Sequence, residues 1–64
     1  INRMLSELTA LDERQGRVAE LRLFGELSSA QIAELLSVSI ATVDRDWASA
    51  RLWLAREMGR GVAR

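Results

Sequence analysis

The side chains of this chain that could take part in chemistry are guanidinium and carboxylate groups. The 64 residues include nine cationic side chains, all of them Arg, and nine acidic ones, with no Cys, His, Pro or Tyr. The chain therefore lacks an imidazole base, a thiolate nucleophile, a Schiff-base lysine, a disulfide and the Cys and His ligands of a structural zinc site. Asp44 and Asp46 lie about 160° apart on a helix, so they do not form a catalytic carboxylate pair. These features predict a protein that is not an enzyme and that needs no metal or cofactor.

Arg45 is the strongest candidate for a binding residue, on a helix predicted over residues 40–58. At about 100° per residue, Arg45 shares one face with Ala41, Ala48 and Ser49, almost opposite the apolar stripe. In a DNA major groove, Arg can donate two hydrogen bonds to guanine, Ala can contact a thymine methyl, and Ser can pair with several bases. The residues alone fit an ordinary solvated Arg among helix-favouring Ala residues equally well, so that interpretation stays open.

Four further side chains near the start of this helix are candidates for contacts with DNA. Ser39 and Thr42, together with the free N–H groups of the helix start, can hold a phosphate, although capping explains Ser39 equally well. Arg51 lies on the flank and can reach a phosphate or form an intrahelical ion pair. Asp44 can at most accept a hydrogen bond from cytosine N4. Asp44 and Asp46 are both predicted to be solvated and to tune specificity by repulsion.

Four helices in one all-α domain are predicted to position these side chains. Apolar residues recur at intervals of three and four and never alternate over a useful length, which favours helices over strands. The predicted helices span residues 2–8, 12–24, 29–36 and 40–58, and the last would be about 28 Å long. The tail, residues 59–64, has no apolar periodicity and is predicted to fray.

Capping patterns predict where the last two helices begin. Ser28 and Gln31 have the spacing of a capping box, and Leu27 and Ile32 have the spacing of a hydrophobic staple. Ser39 is the predicted N-cap of the long last helix. The third and fourth helices are therefore separated by a turn of three residues.

The second helix has a start signal and a stop signal. Asp12 followed by Gln15 resembles a capping box, and Gly25 is predicted to be the C′ residue after the helix end. Val18 and Phe24 are predicted to face the core.

The core is predicted from the inward stripe of the last helix and one side of the first. Trp53 is predicted to cover the first helix. The predicted core residues are Met4, Leu5, Leu8, Val43, Trp47, Ala50 and Leu54.

Two helices joined by a short turn at residues 37–39 are typical of a helix-turn-helix with a long recognition helix. A plain helical hairpin fits the same spacing. The residues by themselves therefore leave DNA binding and simple packing both open.

Residues 21–43, LRLFGELSSAQIAELLSVSIATV, resemble region 4 of bacterial sigma factors, especially the extracytoplasmic-function (ECF) group. The similarity starts at Leu11-Asp12-Glu13-Arg14 and continues through Arg45-Asp46-Trp47, Ala50-Arg51 and Trp53-Leu54, a continuation that resembles one branch of the group. Two residues depart from the family pattern: Ser37 stands where Gly is common, and Asp44 stands where a basic residue is common.

This resemblance implies a function in transcription initiation. It implies a four-helix domain whose helix-turn-helix binds the promoter −35 element in the major groove. It also implies that the earlier helices pack on the β flap of the RNA polymerase core, and many members are inhibited by an anti-sigma factor. With the resemblance, base contact by Arg45 becomes the favoured interpretation.

The charge distribution predicts weak DNA binding by this domain alone. Residues 1–36 carry four Arg against six acidic residues, and residues 37–64 carry five Arg against three, which gives −2 and +2. A free-standing DNA-binding domain is usually strongly basic. We therefore expect a larger assembly to supply most of the affinity.

Two other functional classes fit the residues. One is the helix-turn-helix output domain of a response regulator, which usually dimerises through its last helix. The other is a protein-docking helical domain without DNA contact.

No apolar run approaches the length of about 20 residues that crosses a bilayer, and no segment resembles a signal peptide. We therefore predict a cytoplasmic location and no membrane partner. Because the chain begins at Ile1 rather than Met, the sequence also predicts a domain cut from a longer protein.

Overall fold

Four helices form the part of the chain that the structure describes. A computed structural model describes the backbone of residues 2–62 and the side chains of residues 3–59. The helices are α1 (Asn2–Leu11), α2 (Glu13–Leu23), α3 (Ser29–Leu36) and α4 (Ile40–Val62), and no strand occurs over these residues. The predicted all-α fold is confirmed. Within the described residues, no helix combines the length and the apolar character that a membrane span requires.

Two apolar clusters form the core, and α4 contributes to both of them. Trp47 is half-buried and packs against both clusters, so its ring joins them. Trp53 packs against the first cluster, as predicted for a residue that covers α1, and Met4 of α1 packs against the same cluster. The buried residues are Leu5, Leu8, Ala19, Ala50 and Leu54 in the first cluster and Val18, Ile32, Ala33 and Val43 in the second.

The start of α3 has the predicted capping geometry. The Gln31 backbone N–H donates to Ser28 Oγ at 3.2 Å, and the Ser28 backbone N–H donates to Gln31 Oε1 at 2.8 Å. Both bonds of the capping box are therefore present. Leu27 packs against the cluster that contains Ile32, which agrees with the predicted staple. These contacts fix the direction in which the chain enters α3.

The start of α2 has one of the two hydrogen bonds of its predicted capping box, the bond to the N-cap side chain. The Gln15 backbone N–H donates to Asp12 Oδ1 at 3.1 Å. Asp12 has extended backbone angles, as expected of an N-cap residue. The helix therefore begins at the predicted place, within one residue.

The first and last helices are longer than predicted. Residues 9–11 lie outside the predicted first helix, but the Thr9 hydroxyl donates to the Leu5 carbonyl at 2.8 Å and is satisfied inside α1. At the other end, Gly59 lowers helix propensity by about 1 kcal/mol without ending the long α4, which continues to Val62. Residues 63 and 64 of the predicted frayed tail lie outside the described residues.

The turn after α2 differs from the usual glycine cap. Gly25 follows the C-cap Phe24, as predicted, but the left-handed residue of this turn is Glu26, with φ 56°. A Cβ on Gly25 would lie 2.8 Å from the Leu21 carbonyl oxygen. Glycine is therefore required here by the close approach of the preceding turn.

Phe24 is exposed, which corrects the prediction that it faces the core. Its side chain is 56% exposed. Phe24 follows Val18 by six residues, which places it about 120° away around the helix. Phe24 therefore lies outside the buried face of α2 that contains Val18.

The turn of the helix-turn-helix contains a left-handed non-glycine residue. Ser37 is the C-cap of α3, with φ 60° and ψ 44°. The Val38 N–H donates to the Ala33 carbonyl at 3.0 Å, and the Ser37 N–H donates to the Glu34 carbonyl at 3.3 Å. These bonds satisfy the helix end, while the Ser37 Cβ makes the conformation costly.

We expect Ser37→Gly to stabilise the domain by about 0.5–1 kcal/mol. Removing the Cβ from a left-handed residue stabilises the folded state by about 1–2 kcal/mol. The greater conformational entropy of glycine in the unfolded state offsets about 0.5–1 kcal/mol of that gain. Urea denaturation measures the change. Ser6→Gly is the matched control, because Ser6 is an exposed residue within α1 and the same change should be destabilising there. A lower unfolding free energy for Ser37→Gly would contradict the prediction.

Candidate nucleic-acid interface

The outward face of α4 presents the four predicted base-contacting residues together. Arg45, Ala41, Ala48 and Ser49 are all exposed. Among the residues that the structure describes, neither the Arg45 guanidinium nor the Ser49 hydroxyl has a hydrogen-bond or ion-pair partner. The face therefore carries one available guanidinium and one available hydroxyl between two small side chains. The predicted contacts of these residues with bases stay predictions.

Ser39 and Thr42 form the capped start of α4. Ser39 Oγ accepts the Thr42 backbone N–H at 3.1 Å, and the Ser39 hydroxyl donates to Thr42 Oγ1 at 2.9 Å. The predicted cap is confirmed. The Ser39 hydroxyl proton is therefore already donated to Thr42. The hydroxyl proton of the half-buried Thr42 takes part in neither of these two bonds. Thr42 is therefore the better placed of the two to donate to a phosphate.

Asp44 is exposed, as predicted, and is also bonded to α3. The Ser29 hydroxyl donates to Asp44 Oδ1 at 2.6 Å. This bond joins the first residue of α3 to the first turns of α4 and helps to hold the two helices together. Because one oxygen is already bound, Asp44 has only part of its acceptor capacity left for a base.

Asp46 corrects the prediction that both aspartates are solvated. Asp46 is only 5% exposed, and its Oδ2 accepts a hydrogen bond from Arg14 Nε at 2.5 Å. This bond and the charge of Asp46 raise the pKa of Arg14 above its usual value. Asp46 lies about 40° from Ala50 and about 60° from Val43 around α4, close enough to the apolar stripe for α2 to cover it. Its carboxylate therefore fastens α4 to α2 instead of repelling DNA.

Arg51 stacks on Trp47, and so does Arg22 of α2. The Arg51 Cζ lies 5.7 Å from the centre of the Trp47 ring, and the Arg22 Cζ lies 5.3 Å from it. Both distances are typical of cation–π contacts. The intrahelical ion pair considered for Arg51 is absent from the described residues.

Arg22 is a candidate site residue that sequence reasoning missed. It precedes the helix-turn-helix, and 25 positions separate it from Trp47, so no helical period links the two residues. Only the packing of α2 against α4 brings them together.

The buried ion pair changes the charge that α4 presents to solvent. Because Arg14 neutralises Asp46, the exposed charges of α4 over its described side chains are three Arg and one Asp. These residues are Arg45, Arg51, Arg56 and Asp44. Their net charge of +2 equals the sequence count for residues 37–64, so the surface of α4 is no more basic than that count indicates.

A groove between α1 and α2 is a concave feature of the described residues away from α4. Its lining includes a single carboxylate, and no residue of α4 belongs to it. It therefore shares no side chain with the outward face of α4. The lining residues are Leu5, Ser6, Thr9, Gly16, Glu20 and Phe24.

Comparison with known proteins identifies one family. The family model described as ECF sigma factor matches residues 1–60, which is nearly the whole chain. No curated protein and no solved structure gives a significant match. Sigma factors of this family are non-enzymatic transcription factors that act in initiation, with RNA polymerase and promoter DNA as partners. The family match over residues 1–60, together with the four helices and the exposed face of α4, establishes that the chain belongs to the ECF sigma factor family.

Proposed function

We propose that this domain binds the promoter −35 element by inserting α4 into the major groove. Arg45 donates to guanine O6 and N7, Ala41 and Ala48 allow close approach and contact a thymine methyl, and Ser49 bonds a neighbouring base. A helix-turn-helix places the N-terminal half of its second helix in the groove, and these four residues occupy that half. The observation that carries the proposal is the exposed, unpaired Arg45 between small side chains on a helix of the ECF sigma factor family.

Phosphates on either side of the groove are the proposed partners of the remaining site residues. Thr42 and Ser39 at the start of α4 favour an anion, because a helix N-terminus carries partial positive charge. Arg51 provides a full charge on the flank. Asp44 works against phosphate binding on its own side and disfavours sequences that bring a phosphate or an acceptor close to it.

RNA polymerase supplies most of the binding energy in this proposal. The β flap of the polymerase core packs on the earlier helices, and an anti-sigma factor that covered the same surfaces would block both partners. Exposed apolar side chains on α1 and α2 support a protein contact there. These side chains are Leu11, Leu23 and Phe24. Because bacterial RNA polymerase acts on DNA in the cytoplasm, we place the protein there.

Replacing Arg45 by Ala should reduce sequence discrimination at one base pair. We expect a loss of about 1–3 kcal/mol of preference for the correct base, with other positions of the site unchanged. Promoter selection from a randomised −35 library by the RNA polymerase complex that contains this chain measures the change. Arg51→Ala should weaken binding to all sequences alike. Arg17→Ala is the control, because Arg17 is an exposed Arg of α2 outside the proposed interface.

The outcome also separates the proposed function from its alternatives. Selection that is unchanged by Arg45→Ala would show that Arg45 does not read a base. A polymerase complex without protection at the −35 position would reject the promoter assignment and favour a protein-docking domain. Dimerisation of the chain through α4 would instead favour the output domain of a response regulator.

A further inference from the structure

Arg22 and Arg51 lie against one aromatic ring although they come from different helices. Arg22 belongs to α2 and Arg51 to α4, and the Trp47 ring centre is 5.3 Å from one Cζ and 5.7 Å from the other. Like charges held at one ring repel each other. The arrangement is therefore favoured by a third group that carries negative charge.

No acidic side chain of the described residues supplies that negative charge. Arg14 and Asp46 form the one salt bridge found there, and the interactions of Arg22 and Arg51 are limited to the Trp47 ring. Glu26 follows Arg22 by four residues, the spacing of a helical ion pair, but it lies beyond the end of α2 and does not pair with it. Arg22 is also half-buried as a residue and has no carboxylate partner among the described residues.

Arg22 and Arg51 are placed to face one wall of a DNA major groove into which α4 is inserted. Arg51 lies about 60° around α4 from Ala48, which is on the outward face. A helix that presents Ala48 to the floor of the major groove therefore directs Arg51 toward the phosphates of one strand. Because Arg22 contacts the same ring as Arg51, the shared Trp47 ring assigns both cations to the same strand.

We propose that Arg22 and Arg51, held by Trp47, form a binding site for the phosphodiester backbone of one DNA strand. Arg22 extends the DNA interface beyond the helix-turn-helix to α2, and Trp47 acts as its positioning residue. This inference rests on the proposed insertion of α4 into the major groove. It adds to that insertion a sequence-independent contact whose strength depends on salt.

The salt dependence of duplex binding tests this site directly. The full 64-residue chain and its variants are titrated with a short DNA duplex of mixed sequence at several salt concentrations, starting at low salt. Arg22→Gln and Arg51→Gln should each lower the slope of log K against log salt by about one unit. Arg17→Gln is the matched control, because it removes one charge from another side of α2 and should leave the slope unchanged.

Conservative variants separate binding from folding. Arg22→Lys keeps the charge and should keep most of the slope of log K against log salt. A purely structural cation–π role predicts instead that Arg, Lys and Gln at position 22 all give the same slope. Thermal melts identify any variant that has unfolded. Arg51 is exposed, so Arg51→Gln tests the same site at a position where substitution should not unfold the domain. A slope for Arg22→Gln equal to that of Arg17→Gln would overturn the proposal for Arg22.

Failure of this site and failure of the proposed function give different results. If Arg45→Ala alters promoter selection while Arg22→Gln leaves the salt slope unchanged, only the backbone site is wrong. If the chain shows no salt-dependent duplex binding at all and Arg45→Ala leaves selection unchanged, the DNA-binding function itself is wrong.

Discussion

We expect Trp47→Ala to lower the free energy of unfolding of the domain by about 3 kcal/mol. The Trp47 ring packs against both core clusters, so its removal opens a cavity where α2, α3 and α4 meet. Replacing a large aromatic core residue by Ala costs about 3–5 kcal/mol. At about 0.05–0.15 kcal/mol per residue, a 64-residue domain has a total stability of about 3–10 kcal/mol. Because the ring is half-exposed, we expect a cost near 3 kcal/mol, which is comparable to the smallest of these totals.

Far-UV circular dichroism with urea denaturation measures this effect. Trp47→Phe keeps an aromatic ring between the clusters and should retain most of the stability. Leu52→Ala is the control for truncation of a large apolar residue on α4, because Leu52 is 56% exposed and its loss should cost well under 1 kcal/mol. If Trp47→Ala melts like the parent chain, Trp47 does not join the two clusters.

Gly16→Ala should destabilise the domain by about 3 kcal/mol, the upper end of the usual range for overpacking. Gly16 is buried where α1 crosses α2, and a Cβ there would lie 2.7 Å from the Thr9 Cα. Since that atom belongs to the backbone, the two helices must separate to admit a methyl group. Helix propensity alone predicts the opposite sign, a gain of about 1 kcal/mol for Ala over Gly.

Gly59→Ala is the matched control for this substitution. Gly59 lies in α4, and a Cβ there would have no neighbour within 4 Å. Only the propensity effect operates at this position, so Ala should be neutral or stabilising by up to about 1 kcal/mol. A stabilising Gly16→Ala in urea denaturation would mean that α1 does not cross α2 at this contact.

Local patterns of the sequence were sufficient to predict most of the fold. The cap at Ser28 and the cap at Ser39 are each formed with residues three positions away, so the sequence itself contains both partners. The inward stripe of α4 follows from the helical period, and Val43, Ala50 and Leu54 are buried as predicted. Where local signals were ambiguous, as at Thr9 and Phe24, the predictions were wrong.

The candidate interface was predictable only in part. The exposure of Arg45 follows from its position opposite the apolar stripe, because the two sides of an amphipathic helix are fixed by its period. Its contact with a base depends on a partner that the chain does not contain. The base-reading roles of Arg45, Ala41, Ala48 and Ser49 therefore stay predictions.

Contacts between residues far apart in the chain were decided by the tertiary structure alone. Arg14 and Asp46 are 32 positions apart, and their pairing changes Asp46 from a predicted surface charge into a buried link between α2 and α4. Arg22 likewise meets Trp47 only because α2 packs against α4. The sequence by itself determined the helices, their caps and the outward face of α4, because those depend on residues within one or two turns. The ion pair, the guanidinium pair and the crossing at Gly16 depend on the angle and distance at which helices pack, which no local period contains.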